Sequence, residues 1–560
     1  MLNVVDLNFA YAGANRRALH DISIHTKTGQ HLLIMGPTGA GKTTLCCALR
    51  GLLGTFIDGE LTGEIELVGE KIFPPAKASE QSDPFPVARL ARIVGLVFQD
   101  FERQLFSTTV AREVAFGPEN LNIHPTEIRR RVDWALAIVG LTGLEDRNPQ
   151  TLSGGEKQRL AIASILALHP RILLLDEPTT DLDPVGKEQI FSLRREIAEQ
   201  VEMLVMVEHE IEPALAFEQI LILTDGRIAG EGSPQLLLDW RLFEKNSIQP
   251  YEPAVLAAEA GLGSYDECAL RPLLSGLSNS AALHSPVAPP REAIRFVGIT
   301  AGYEGKKIIE DFSVTIGEGE FVAILGPNGS GKTTVAKIMA GLHQPSSGRV
   351  EIFGKDFSTG RSNPAATKVG YVFQNPDHQI FASTIAEEIA FGPRNVGMTD
   401  DEVARRVKDV VRTVGLVGLE SADPFTLPKG YRQMVAVASV MAMQPRILIL
   451  DEPTTGLDLA GQRAILKVLN ELHSSGHTII IITHSMRIAL EHAVRTIVMK
   501  NGRIILDGLT KDVFYGGDLA QAALRPPPIV ELGKMAGIQV RSISELIDIM
   551  KHQGRLKGRS

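Results

Sequence analysis

Two runs of apolar residues, Ile172-Leu173-Leu174-Leu175 and Leu448-Ile449-Leu450, each end in a pair of carboxylates, Asp176-Glu177 and Asp451-Glu452. An unbroken apolar run of this length, without alternation, predicts a parallel strand buried on both faces, and the C-terminal edge of such a strand is where sheets of this kind hold ligands. Residues 31–35 and 321–325 read as further strands of the same sort. The pattern changes in between. Residues 126–139 and 400–414 carry apolar positions at roughly helical spacing and predict a mostly helical middle to each half, and a further helix is expected from Ser153 through His169. Asp225-Gly226-Arg227 and Asn501-Gly502-Arg503 predict hairpin turns.

These patterns occur twice. Gly326 stands 290 residues after Gly36, whereas Gln374, Asp451 and His484 each stand 275 residues after Gln99, Asp176 and His209. Two similar domains follow, with an insertion of 15 residues in the first copy that the Pro- and Ser-containing stretch 73–87 accommodates. Strands alternating with helices argue for a parallel sheet covered on both faces. The expected boundaries are a first domain over 1–235 with a C-terminal extension over 236–274, a Ser-, Ala- and Pro-containing linker over 275–290, a second domain over 291–515, and a helical extension over 516–560.

Each copy carries a phosphate loop directly after a predicted strand. Gly36-Pro37-Thr38-Gly39-Ala40-Gly41-Lys42-Thr43-Thr44 and Gly326-Pro327-Asn328-Gly329-Ser330-Gly331-Lys332-Thr333-Thr334 both fit the spacing in which glycines let successive N–H groups curl around a phosphate. Lys42 or Lys332 then neutralises β- and γ-oxygens, and the hydroxyl of Thr43 or Thr333 faces Mg²⁺. Asp176 and Asp451 are the candidates for the Mg²⁺ shell, and Glu177 and Glu452 for orienting water or accepting its proton. Gln99 and Gln374 can reach the metal or the water from a mobile loop. ATP and Mg²⁺ are the implied cofactors.

Composition narrows the class. With 44% hydrophobic and 22% charged residues the 560-residue chain is ordinary for a globular protein too long for one core. No run of 18 or more apolar residues and no leader pattern stands out, so a cytoplasmic protein is expected. Cys46, Cys47 and Cys268 form no metal-ligand pattern, and a formal charge of −9 with pI near 5.9 gives no basic field for nucleic acid.

The stretch Leu152-Ser153-Gly154-Gly155-Glu156-Lys157-Gln158, followed by Asp176-Glu177-Pro178-Thr179 and Leu182-Asp183, resembles the ATP-binding cassette ATPase family. By itself the stretch reads as a helix N-terminus, with Ser153 capping, two glycines permitting close approach, and the dipole favouring an anion. The resemblance implies an α/β fold of two tandem P-loop cassettes, each a mainly parallel sheet core with an antiparallel β part and a helical signature subdomain. It makes Ser153, Gly154, Gly155 and Glu156 ATP-binding residues, His209 and His484 the switch histidines at the γ-phosphate, and Tyr11 and Tyr303 the aromatics on adenine. In that family the two cassettes face head to tail, so the signature of one completes the ATP site on the phosphate loop of the other.

A longer phrase narrows the resemblance. Gln374-Asn375-Pro376-Asp377-His378-Gln379-Ile380-Phe381 with Ala390-Phe391-Gly392-Pro393-Arg394-Asn395 is similar to the ATPase subunits of energy-coupling factor importers, which serve vitamins and transition-metal ions. The first copy follows it from Gln99 to Phe106 and from Ala115 to Asn120, departing at Asp100-Phe101. The implied partners are integral membrane transport subunits docking at the Gln99 and Gln374 loops, with Glu102 and Asp377 accepting their arginines, together with a small substrate-binding membrane subunit; the implied location is the cytoplasmic face of the membrane. A tandem ATPase of a sugar importer is the rival reading, and a soluble cassette ATPase acting on ribosome or nucleic acid stands further off.

The second signature departs from the first. Pro428 and Lys429 replace its serine and first glycine, in Thr426-Leu427-Pro428-Lys429-Gly430. A proline is tolerated at a helix start, so the helix is expected to survive. Loss of one charged hydrogen bond costs about 1.5–3 kcal/mol, roughly 10- to 100-fold in closing or turnover at the site it completes. The resemblance makes that the site on Lys42 and Glu177.

Overall fold

The computed structural model of the chain describes residues 1–73, 86–180, 182–277, 291–356 and 368–556. Most of the insertion expected over 73–87 and of the linker expected over 275–290 lies outside them. The chain divides into two units, 1–258 and 259–560.

In chain order the first unit runs β1 (Leu2–Tyr11), β2 (Leu19–Thr26), β3 (Leu32–Met35), α1 (Lys42–Leu49), β4 (Gly59–Leu67), β5 (Glu70–Phe73), α2 (Pro86–Ile93) and β6 (Val94–Val97). It continues through α3 (Val110–Asn120), α4 (Pro125–Ile138), α5 (Gly154–Leu166), β7 (Ile172–Asp176), α6 (Pro184–Ala198), β8 (Met203–Val207), β9 (Gln219–Thr224), β10 (Arg227–Gly232), α7 (Trp240–Lys245) and α8 (Glu252–Glu259). A six-stranded sheet has the order β10-β9-β3-β8-β7-β6, parallel except for the β9–β10 hairpin. A four-stranded antiparallel sheet, β2-β1-β4-β5, faces it.

Burial explains why the apolar runs become central strands. Every residue of β3, β6, β7 and β8 is buried. Leu45, Cys46, Ala48 and Leu49 of α1 share one core with Leu2, Val4 and Phe9 of β1 and with Leu32, Ile34, Ile172 and Leu174. The helix is thereby clamped between the sheets, and Cys46 and Cys47 serve as small apolar packers. At the β9–β10 turn Asp225 and Gly226 have φ of 49° and 71°, the left-handed pair a two-residue hairpin needs.

Helices α3, α4 and α5 pack together as the helical part of the unit. The helix expected to run through His169 stops at Leu166. His169 turns into the left-handed region at φ 54°, its ring stacked on Trp134 at 4.5 Å, and Pro170 follows, which cannot continue a helix.

The second unit repeats this plan, opening with α9 (Glu267–Leu274), β11 (Glu292–Tyr303), β12 (Lys306–Gly317), β13 (Phe321–Leu325), α10 (Lys332–Met339), β14 (Ser347–Ile352), β15 (Lys355–Asp356) and β16 (Val369–Val372). Then come α11 (Ile385–Asn395), α12 (Asp400–Thr413), α13 (Lys429–Met441), β17 (Ile447–Asp451), α14 (Leu459–Ser474), β18 (Thr478–Ile482), α15 (Met486–His492), β19 (Arg495–Lys500) and β20 (Arg503–Leu509). Helices α16 (Thr510–Gly516), α17 (Pro528–Ala536) and α18 (Ile543–His552) close the unit, with α9 packed on α17. The sheets are β16-β17-β18-β13-β19-β20 and β12-β11-β14-β15.

A buried glutamate shapes the start of each helical part. In the second unit Glu388 of α11 accepts the backbone N–H groups of Phe381 and Ala382 at 3.0 and 2.9 Å; in the first, Glu113 does the same for Phe106 and Ser107 at 3.0 and 2.7 Å. Replacing Glu388 by Ala strands two N–H donors, each unsatisfied buried donor costing about 1–3 kcal/mol. The thermal midpoint of Glu388→Ala, followed by circular dichroism, is expected to fall by several degrees, with Glu388→Gln intermediate because its amide oxygen still accepts.

Candidate active site

Each phosphate loop is bent by glycine where no other residue fits. A Cβ on Gly36, at φ 156°, would stand 2.0 Å from the carbonyl oxygen of Leu223, and one on Gly326, at φ 150°, 2.3 Å from that of Met499. Gly41 and Gly331 precede α1 and α10 with φ of 97° and 98°. The loop lysines fold back over their own turns. Lys42 Nζ donates to the carbonyls of Gly36 and Pro37 at 3.0 and 2.9 Å, and Lys332 Nζ to those of Gly326 and Pro327 at 2.8 and 2.9 Å. A buried ammonium thus stands at the N-terminus of α1 and of α10, where the helix dipole favours an anion.

The carboxylates meet these loops at the C-terminal ends of β7 and β17. Glu177 and Glu452 sit one residue past the strands in the left-handed region, φ 48° and 50°. In the first unit Glu177 takes His209 Nε2 at 2.7 Å, Gln99 Nε2 at 2.9 Å, Thr180 Oγ1 at 3.1 Å and Lys42 Nζ at 3.6 Å. In the second, Glu452 takes His484 Nε2 and Thr455 Oγ1 at 3.1 Å and the His484 N–H at 3.3 Å. Gln374, Asp451, Glu452, His484 and Lys332 line one cavity of 220 Å³ with the loop residues Asn328, Gly329, Gly331, Thr333 and Thr334.

The two glutamates differ electrostatically. Burial alone would raise Glu177, but the hydrogen bond and charge of His209, with Lys42 behind it, hold it down at about 2. Burial carries Glu452 up to about 7, against the pull of Lys332 and with Asp451 adding in the same sense. Asp176 and Asp451 are both raised by burial, Asp176 to about 6.

The aromatic candidates lie beside the loops with about two-fifths of their surface open. Tyr11, edge-on to Phe9, shares a hydrogen bond of 2.9 Å with Thr44 Oγ1 at the start of α1. Tyr303 has one face stacked on His343 at 4.6 Å.

Ser153 caps α5 reciprocally with Glu156: its N–H and Oγ donate to Glu156 Oε2 at 2.8 and 2.7 Å, and its Oγ accepts the Glu156 N–H at 3.4 Å. A Cβ on Gly154 would meet nothing within 4 Å, and one on Gly155 only the Gly186 Cα at 4.0 Å. Neither glycine is required by packing inside its own unit. In the altered signature Pro428 caps α13 without a side-chain hydrogen bond, and the helix keeps the 13 residues of α5. The Lys429 side chain lies along Gly456, where a Cβ would stand 2.9 Å from Nζ.

A family model described as ABC transporter matches residues 19–180 and again 309–455. The chain belongs to the ABC transporter family. It is 41% identical to an ABC transporter ATP-binding protein of Caldanaerobacter subterraneus, over 98% of each chain, and 38% identical to one of Methanosarcina acetivorans, over 94% of this chain and 88% of the other. A solved structure described as cbiO1 from Clostridium perfringens, part of the ABC transporter complex cbiONQ, is 34% identical, covers 44% of this chain and 99% of its own, and has a TM-score of 0.39. This ABC transporter ATPase therefore binds ATP with Mg²⁺ in tandem cassettes and hydrolyses it as the ATP-binding subunit of a transporter. Among the described residues no helix is long and apolar enough to cross a membrane.

The site residues of this ABC ATPase fit Mg²⁺. The buried carboxylates of Asp176 and Asp451 meet the hydroxyls of Thr43 and Thr333 and keep acceptor capacity beyond them, the condition in which a hard cation is the natural complement. Among the described residues no group of three or more His, Cys, Asp or Glu side chains gathers into a cage. Thr43, Asp176 and Gln99 would hold it in one cassette, and Thr333, Asp451 and Gln374 in the other.

The acids proposed for membrane partners are already engaged. Glu102 takes Lys157 Nζ of α5 at 2.7 Å, and Asp377 takes Arg432 of α13 at 2.7 and 3.3 Å. Sequence reasoning missed this tie between the loop after each glutamine and the signature helix, although Lys157 and Arg432 stand at matching places in the repeat. It also missed Glu208. This residue of the switch segment is 1% exposed, accepts Thr179 Oγ1 at 2.8 Å, and has Thr483 as its counterpart.

Burial, and then the charge of Glu210, push the Glu208 carboxyl from 4.5 up to about 8. Below pH 4.5 it is protonated folded and unfolded alike; between 4.5 and 8 only the folded chain keeps the proton, so stability drains away as pH rises through that window. Glu208→Gln removes this dependence. Its thermal midpoint relative to the unaltered chain is expected to climb from pH 5 to pH 8 and then level off, read by calorimetry on the full chain.

Proposed function

We propose that this chain is the ATPase of an importer of the energy-coupling factor type, driving uptake of a vitamin, a vitamin precursor, or a cobalt or nickel ion. The observation that carries the reading is the phrase from Gln374 to Phe381 with Ala390 to Asn395, present a second time from Gln99 to Phe106 and Ala115 to Asn120. Its aromatic residues give it a physical use. Phe106 and Phe381 are each 61% exposed and packed edge-to-face, at 4.6 Å, on the half-exposed Phe116 and Phe391. Two exposed phenyl rings beside an exposed carboxylate suit the apolar and basic faces of a membrane subunit's cytoplasmic helix.

In this reading the two cassettes close head to tail on ATP, docked helices of the membrane subunits move with them, and hydrolysis resets the pair. The transported solute never touches this chain. Mg²⁺, when bound, supplies positive charge beside the β- and γ-phosphate oxygens. Lys42 and Lys332 neutralise the same oxygens from the loop. The first turn of α5, with open space at Gly154 and Gly155, meets the γ-phosphate over Lys332. Glu452, steadied by His484, takes the proton of the attacking water as the water oxygen bonds to the γ-phosphorus and the bond from that phosphorus to the bridging oxygen breaks, releasing ADP and phosphate. Expression of the full chain with its native neighbours and purification from membranes tests the assignment. Co-purifying transmembrane subunits, including a small membrane binder of vitamin or metal ion, are expected, whereas a periplasmic sugar binder in the complex would overturn it.

The sites are unequal in this mechanism. The intact signature completes the site on Lys332 and Glu452, and Pro428 and Lys429 complete the one on Lys42 and Glu177. A glutamate whose carboxyl burial pushes up also accepts a proton from water better than one held down by His209 and Lys42. Glu452→Gln is therefore expected to lower steady-state ATPase activity by about 10- to 100-fold more than Glu177→Gln. Equal losses, or a larger loss for Glu177→Gln, would remove the asymmetry.

A further inference from the structure

One buried hydroxyl distinguishes the two catalytic edges and is not part of any motif. Tyr371 lies on β16, 9% exposed, in register with Ile449 two residues before Asp451. Its hydroxyl donates to Asp451 Oδ2 at 2.9 Å, and its ring is braced edge-on against Phe373 at 5.0 Å. Asp451 also meets the hydroxyl of Thr333, and its other oxygen, Oδ1, is buried. At the matching place on β6 the first unit has Leu96, paired with Leu174, so Asp176 meets the hydroxyl of Thr43 but has no tyrosine on it.

We propose that Tyr371 is a positioning residue for the second cassette's Mg²⁺ shell: by occupying one oxygen of Asp451 it fixes the carboxylate plane and leaves the other oxygen aimed at the metal. Mg²⁺ demands near-ideal octahedral geometry, so a carboxylate free to rotate is a poorer ligand than one held by a hydrogen bond. A tyrosine suits the task because its rigid ring reaches across from the neighbouring strand. The leucine of the first cassette can pack there but cannot donate, so the two sites differ in their demand for Mg²⁺ as well as in their signatures. This inference rests on Asp451 being a ligand of the metal.

The test uses the full chain carrying Lys42→Ala, so that nucleotide retention reports the second site. Binding of labelled AMP-PNP is measured by equilibrium dialysis against increasing Mg²⁺ and in EDTA, with the nucleotide-free thermal midpoint recorded alongside. Tyr371→Phe, which keeps the ring, is expected to raise the Mg²⁺ concentration for half-maximal retention about 10-fold while leaving the affinity in EDTA unchanged. An unmoved Mg²⁺ midpoint, or an equal loss of affinity in EDTA and in Mg²⁺, overturns the positioning role. Asp451→Asn separates the premises. If it shifts the midpoint and Tyr371→Phe does not, only the role of Tyr371 falls; if neither shifts it, Asp451 is not a ligand and both fall.

Discussion

Placing two adjacent carboxylates at the end of a wholly buried strand is the constraint around which each cassette is built. Desolvation alone would neutralise them, and a buried charge without a partner is among the costliest features a fold can carry. The structure resolves this by converging five elements on one sheet edge: the loop lysine, the threonine that begins the helix, the glutamine after the edge strand, the switch histidine, and the threonine three residues beyond the glutamate. The strand-end aspartates, Asp176 and Asp451, still keep acceptor capacity that the fold leaves unfilled. That residual need couples folding to ligand, because Mg²⁺ with ATP phosphates supplies the charge the fold withholds.

The two copies answer the same constraint differently. In the first, Glu177 is held by four partners within 3.6 Å and is strongly ionised. In the second, Glu452 has a looser set and a pKa drawn up towards neutrality, while its neighbour Asp451 is steadied by Tyr371. The first cassette also carries the buried Glu208 where the second has Thr483. The altered signature is one of several divergences, then, and they cluster at the ATP-handling edge while the sheet orders of the two units remain the same.

A second connection runs away from that edge. Lys157 and Arg432 project from the signature helices onto Glu102 and Asp377, and Glu113 and Glu388 hold the backbone that presents Phe106 and Phe381. The loop after each glutamine is thus hydrogen-bonded to the helix that follows it, α3 or α11, on one side and ion-paired to the signature helix on the other. Partly exposed ion pairs of this kind contribute little stability, about 0–1 kcal/mol each, so they orient the loop more than they hold the fold together.

Strand identity, the phosphate loops, the carboxylate pairs and the tandem repeat were legible in the chain because each rests on local order: unbroken apolar runs for burial, glycine spacing for positive φ, and apolar positions at helical spacing between the strands. The end of α5 at Leu166 was not, since the turn at His169 depends on stacking against Trp134, a contact between segments far apart in sequence. For the same reason Tyr371 reads as one more apolar position of a strand, and Glu208 as one more acid, until the sheet brings each against its partner. Sequence alone singled out the groups that gather at that edge, because covalent spacing sets the loops and strand ends. Only the tertiary structure decided how strongly each is held, since burial and hydrogen bonds across neighbouring strands arise from packing and not from order along the chain.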